Sequence, residues 1–202
     1  MKQTLVIAVR ATAVTLVLTG VVYPLVITAI AQVAFPSQAN GSLVRDDAGA
    51  VVGSSLIGQA FAGPAYVQPR PSAAGGGYDA AASGGSNLGP TSKVLRDRVT
   101  AAVAQLRADN PAATGPVPAE LVTTSGSGLD PHLSPASVAW QVPRIAASRN
   151  VSDERVRALA EEFTEERDLG LLGEPRVNVL LLNRALDRRF GRPAGGASIP
   201  PK

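Results

Sequence analysis

The residues best placed to do chemistry lie in two Gly/Ser segments. In Ser125-Gly-Ser-Gly-Leu-Asp-Pro-His132 an acid and an imidazole, Asp130 and His132, stand two residues apart behind two serines. That is the raw material of a hydrolase in which Ser125 or Ser127 attacks and His132 takes its proton. The surrounding pattern argues against it. No G-x-S-x-G elbow is present, and the chain's single histidine follows a proline, the setting of a hydrogen-bonding loop residue. One histidine and no cysteine also leave a zinc site little to draw on, and no metal ligands are assigned. The second segment, Ser83, Gly84, Gly85, Ser86 and Asn87, precedes a helical pattern, so its backbone N–H groups are placed to cradle an anion at a positive helix end. It lacks the lysine of a phosphate loop and a preceding hydrophobic strand. Glycines for a tight turn account for the same composition. Glu161, Glu162, Glu165 and Glu166 form an acidic stretch that reads as a solvated helix face.

These segments need elements to hold them, and the chain reads as α+β. Ser42-Leu-Val and Ala50-Val-Val around Asp46, Asp47 and Gly49 predict a hairpin. Gly53 to Phe61 continues as an extended piece. Residues 63–89, with Tyr66, Arg70 and Tyr78 among glycines, carry no periodicity; a loop that long is functional or disordered, and its aromatics favour an ordered one. Thr91 or Ser92 caps a helix whose Leu95, Val99, Ala102, Val103 and Leu106 share a face. Ala119 to Thr123 reads as a short strand. Ser134 with Pro135 opens a helix that Pro143 should bend. Ser152 starts another, with Val156, Leu159, Ala160 and Phe163 inward. Leu169 to Gly173 breaks it, and a last helix after Pro175 buries Val179, Leu182, Leu186 and Phe190. The tail, 191–202, reads as disordered.

Ahead of all this, Ala11 to Phe35 carries no charged residue and is long enough to cross a bilayer core. Its apolar run exceeds that of a cleaved signal peptide, and it lacks the polar stripe of a buried core helix. The reading is a retained single span (11–35) after a short cytoplasmic N-terminus (1–10), with an extracytoplasmic body (36–190). Lys2 and Arg10 precede the span without an acidic neighbour, which places the N-terminus inside. Gly20, Thr12, Thr15 and Thr19 could let another helix approach closely, and Pro24 should kink the span. The net charge of +3 comes from the chain's ends. Between Phe35 and Asn183 there are 12 Lys/Arg against 15 Asp/Glu, so no basic face for nucleic acid is implied. Without cysteine, no disulfide framework holds the body.

The literal motifs go further. Gly53 to Phe61 with Gln59, Tyr66 with Arg70-Pro-Ser-Ala73, Ser83 to Pro90, Val122 to His132, Ser134-Pro135, Gln141 with Arg144, and Leu172 to Val179 with Glu174, Arg176 and Asn178 follow one another in order, then Leu182-Asn183 and Ala185 to Asp187. Together with the anchor they closely resemble the C subunit of the potassium-transporting Kdp ATPase. The resemblance implies a non-catalytic, single-pass subunit of a bacterial inner-membrane complex. Its partners would be a potassium-channel-like subunit, a P-type ATPase subunit and a small single-span subunit, with potassium as the transported ion. It also implies a possible catalytic-chaperone role, raising the ATPase subunit's affinity for ATP through Ser83, Gly84, Gly85, Ser86, Asn87 or Gln141. An extracytoplasmic body sits badly with direct ATP contact, so no firmly bound cofactor is expected and ATP only jointly with the ATPase subunit. Gln59, Tyr66, Arg70, Asp130, His132, Arg144, Glu174, Arg176 and Asn178 are expected to stabilise loops or meet partners. Pro143 and Phe163 depart from the family's pattern. A membrane-tethered binding module remains the alternative, and a serine hydrolase the remoter one.

Overall fold

The computed structural model of the chain describes residues 1–193, so the expected tail lies mostly outside the described residues. Two compact units are present, Met1–Val44 and Arg45–Lys202.

In the first, one apolar helix runs from Lys2 to Ala34 with none of its residues buried. It is longer than the charge-free stretch, taking in Lys2 and Arg10, and its 33 residues reach about 50 Å at 1.5 Å each. The helix is α1 (Lys2–Val17) and α2 (Tyr23–Ala34), joined by a π-helical turn, Leu18–Val22. Pro24 explains that turn. Its ring lacks an N–H and crowds the carbonyl four residues back, and widening the preceding turn accommodates both. Two of the threonines are engaged within the helix: Thr15 Oγ1 donates to Ala11 O and Thr19 Oγ1 to Thr15 O, each at 2.8 Å. A short α3 (Pro36–Ala39) follows, capped by Asn40 Nδ2 on Pro36 O.

The predicted hairpin is present as β1 (Leu43–Arg45) and β2 (Val51–Ser54). Asp46 forms the turn: its N donates to Ala50 O, and its Oδ1 accepts from Ala48 N and Ala50 N. The helices α4 (Lys93–Asp109), α5 (Pro135–Arg149), α6 (Asp153–Glu162) and α7 (Val179–Phe190) follow the expected order. Ser92 and Ser134 are the N-caps, accepting from Leu95 N and Ser137 N. The helix α5 continues through Pro143 and ends on left-handed Asn150. Phe163 is the C-cap of α6 and packs against the core. On α4 the predicted face is only half-buried.

Three expectations are corrected. The helix α6 ends at Glu162 and Glu165 lies in a strand, so the acidic stretch is not one helix face. Ala119–Leu121 is a 3-10 turn, not a strand. Following Pro118, it directs the Glu120 carboxylate at Ser134 N, near 3.2 Å, and at the Ser134 and Ser137 hydroxyls. His132 lies in a strand rather than a loop. The strands β3 (His132–Leu133), β4 (Thr164–Glu165) and β5 (Arg176–Asn178) form an antiparallel sheet in the order β3-β5-β4, with His132 opposite Asn178 and Thr164 opposite Val177. The core gathers Leu133, Val138, Val142 and Ile145 with Val156, Leu159, Val177, Leu182 and Leu186. Val67 joins it from the long loop, which is therefore ordered and partly interior.

Candidate functional site

The two Gly/Ser segments come together. Gly84 N donates to Ser127 O at 2.8 Å, Ser83 Oγ to the same carbonyl at 3.0 Å, and Thr124 Oγ1 to Ser86 Oγ at 3.2 Å. Glycine is required for this approach. Gly128 has φ +68°, and a Cβ there would lie 2.6 Å from Gly84 O and 2.7 Å from Ala74 N. At Gly85 a Cβ would meet Gly126 O at 3.0 Å. Beneath them Ser72 Oγ donates to Gly128 O and accepts from Ala74 N and Tyr78 N. Tyr78 Oη donates to Arg70 O at 2.6 Å, and burial pushes its hydroxyl up to about 12.

Arg70 clamps the Ser125–His132 segment and the residue before it through Nη1 on Asp130 Oδ2 and Nη2 on Thr124 O, both at 3.2 Å. Asp130 Oδ1 accepts from His132 N at 3.0 Å, and His132 Nδ1 lies 3.7 Å from the same oxygen. The His132 side chain, then its backbone N–H and the Arg70 charge, outweigh burial and hold the Asp130 carboxyl below the usual carboxylate range. The hydrolase arrangement does not form. Ser127 Oγ accepts from Leu129 N, and among the described residues no hydrogen bond joins His132 to Ser125 or Ser127. A nucleophile needs its base within hydrogen-bond reach.

A second constellation holds residues 63–68. Gln141, 1% exposed, accepts from Gln68 N at 2.9 Å and donates to Gln68 O at 3.1 Å. Asn183, also 1% exposed, repeats this with Val67, accepting from its N at 2.8 Å and donating to its O at 2.9 Å. The two amides thus stand in for neighbouring strands, satisfying backbone groups that have no ladder partner. Arg144 fastens the same segment through Gly63 O, Tyr66 O and Gln141 Oε1, and burial lowers its pKa. Arg149 donates to Ala65 O and pairs with Asp187 at 2.8 Å, its guanidinium 5.0 Å from the Tyr66 ring centroid. Tyr66 Oη donates to Asp187 Oδ2 at 3.1 Å. Burial first, then Asp187, raises the Tyr66 hydroxyl.

The remaining predicted residues lie apart. Gln59 Nε2 donates to Val52 O at 3.0 Å. Asn178 caps α7 by accepting from Leu181 N, and its Nδ2 donates to Ser55 O. Arg176 pairs with Glu165 at 3.0 Å, and Glu174 with Arg167 at 2.6 Å. Asn87 sits at φ +50° where its segment turns towards α4. Arg149 and Glu120 lie outside the sequence motifs, and Asn183 and Asp187 lie within them without an assigned role. The signal for Asn183 was an amide beside Leu182 on the inward face of α7.

Comparison with known proteins accounts for these motifs as a set. The family model described as "K+-transporting ATPase, c chain" matches residues 5–188, the apolar helix and the body together. A protein of Myxococcus xanthus named potassium-transporting ATPase KdpC subunit is 60% identical over 191 residues, covering 95% of this chain and 90% of that one. Its namesake in Rhodospirillum rubrum is 58% identical over 173 residues, 86% of this chain and 89% of its own. One in Sorangium cellulosum is 58% identical over 171 residues, 84% and 90% of the two chains. The chain belongs to the family of K+-transporting ATPase c chains.

Proposed function

We infer that the chain is the non-catalytic C subunit of a membrane-bound, ATP-driven potassium uptake complex, acting there as a structural subunit. The observation that carries this is the family match from residue 5 to 188, which takes in anchor and body without a gap between them. A structural role is supported by where the motif side chains are engaged. Gln141, Arg144, Asn183 and Arg70 bind the chain's own backbone, Ser83 and Gly84 meet Ser127, and Ser86 meets Thr124. Such groups shape a rigid body rather than wait for a substrate.

In this reading Lys2 and Arg10 keep the N-terminus in the cytoplasm. The body then stands on the far side of the inner membrane, where it joins the channel-like, the ATP-hydrolysing and the small single-span subunits and shapes the potassium entrance. No cofactor is firmly bound, and potassium passes through another chain. ATP lies across the membrane from Gln141 and the Ser83–Asn87 segment, so any rise in nucleotide affinity reaches the ATPase subunit through assembly.

The test is a mild-detergent pull-down of the tagged full-length chain from potassium-starved native membranes, with mass spectrometry of what accompanies it. Recovery of a P-type ATPase and a multi-span channel-like protein in fixed ratio is the expected result. Recovery of the folded, membrane-bound chain by itself would replace the reading with a tethered binding module.

A further inference from the structure

We propose that the turn between β4 and β5 is a docking knuckle that seats in an apolar pocket with a basic rim on another subunit of the complex. The proposal rests on the subunit reading above. This segment closes on itself. Asp168 N donates to Leu172 O at 2.8 Å, Leu172 N returns to Asp168 O at 2.9 Å, and Arg167 pairs with Glu174 across the base at 2.6 Å. Inside it, Gly170 N donates to Arg167 O and Leu171 N to Asp168 O. The tip therefore has a defined shape, and what it displays is apolar: Leu169, Leu171 and Leu172 are 90%, 80% and 62% exposed.

Closure does not explain the leucines. Leu169 has φ +55°, a left-handed conformation that glycine or asparagine adopts at less steric cost. Its side chain stands in water, so this strain is not offset by burial within the domain. Three large exposed apolar side chains within four residues of one closed turn point to a binding site, and a strained residue held in place by its surroundings points the same way.

Charge selects the occupant. Around the tip stand Glu165, Glu166, Asp168 and Glu174 against Arg167 and Arg176, an acidic excess. An anionic membrane surface repels that rim, and sinking Leu169 into lipid would carry the neighbouring Asp168 carboxylate with it. A second copy of the chain presents the same acidic rim and is disfavoured by like charge. A protein pocket lined by apolar side chains and edged with lysine or arginine accepts both the leucines and the carboxylates.

The experiment compares the tagged full-length chain with its Leu169→Asn/Leu171→Ser/Leu172→Ser variant, by thermal unfolding and by subunit recovery in mild detergent. The expected result is an unfolding temperature at or above that of the parent, with recovery of the other subunits reduced about tenfold or more. Glu166→Lys is expected to lower recovery severalfold, most strongly at low salt. Should the triple variant unfold early, Leu171→Ser alone replaces it. Undiminished recovery overturns the knuckle and leaves the subunit reading standing. Unchanged recovery with loss of a self-associated species assigns the tip to a second copy and overturns it too. If the parent chain recovers no other subunit, the failure belongs to the subunit reading.

Discussion

Replacing Asn183 by leucine tests whether side-chain amides hold the 63–68 segment in the core. The substitution keeps the volume and removes both hydrogen bonds to Val67, at 2.8 and 2.9 Å. Val67 is 0% exposed, so its N–H and C=O have no water to turn to. Each orphaned group costs about 1–3 kcal/mol. Burying the new methyl groups returns about 1–2 kcal/mol, so the middle of these ranges is a net loss of about 2.5 kcal/mol. For a body of this size that lowers the melting temperature by about 5–15 °C. Gln141→Leu is the internal comparison. Gln68 is half-buried and water can replace its partner, while Arg144 keeps Gly63 O and Tyr66 O, so the loss is about 1 kcal/mol. Thermal and urea unfolding of the full-length proteins in the same detergent, followed by circular dichroism, read both. An Asn183→Leu protein within 1 kcal/mol of its parent, or one more stable than Gln141→Leu, would refute the reasoning.

Gly128→Ala should destabilise the body by about 2–4 kcal/mol, because it combines a left-handed φ with backbone atoms at 2.6 and 2.7 Å. Gly84→Ala, whose Cβ meets nothing within 4 Å, should stay within about 1 kcal/mol of the parent in the same urea titration. Because the Asp130 pKa is lowered on folding, its contribution is fully present above the ordinary carboxylate value and is lost as pH falls through the lower folded value. The urea midpoint should therefore drop below about pH 4, and Asp130→Asn should flatten that part of the profile. Leu169→Asn alone should raise the unfolding midpoint, by about 1 kcal/mol, through relief of its left-handed strain.

Legibility divides by range. The span, the four long helices and the caps at Ser92 and Ser134 could be read because a cap, a face and a charge-free run are local patterns. The sheet could not. Its strands are two or three residues long, shorter than one alternation of in and out, and β5 is defined by partners at His132 and Thr164. Ala119 to Thr123 reads as a strand in sequence, whereas the structure has a turn at Ala119–Leu121 that aims Glu120 at the start of α5, a long-range demand that no local pattern carries. Within the site, the motifs named Gln141 and Arg70 but not their targets. Ser83 meets Ser127 across 44 residues and Asn183 meets Val67 across 116, and no periodicity records such pairings.

That division bears on where partners should be sought. The Gly/Ser segments are easy to recognise because their geometry tolerates few alternatives: Gly128 excludes a side chain, and Ser72, Arg70 and Tyr78 each bind a specified backbone atom. Constraint of this kind comes from within the body, and would exist without another subunit. A surface that meets a partner obeys a different logic, since its residues contribute little or unfavourably to the isolated chain. Leu169 fits that description, exposed and left-handed at the end of a closed turn. Substitution at Gly128 should therefore lower stability first and assembly only in proportion. Substitution at Leu169 should raise stability while lowering assembly, and those opposite signs separate the scaffold of this subunit from its contact surface.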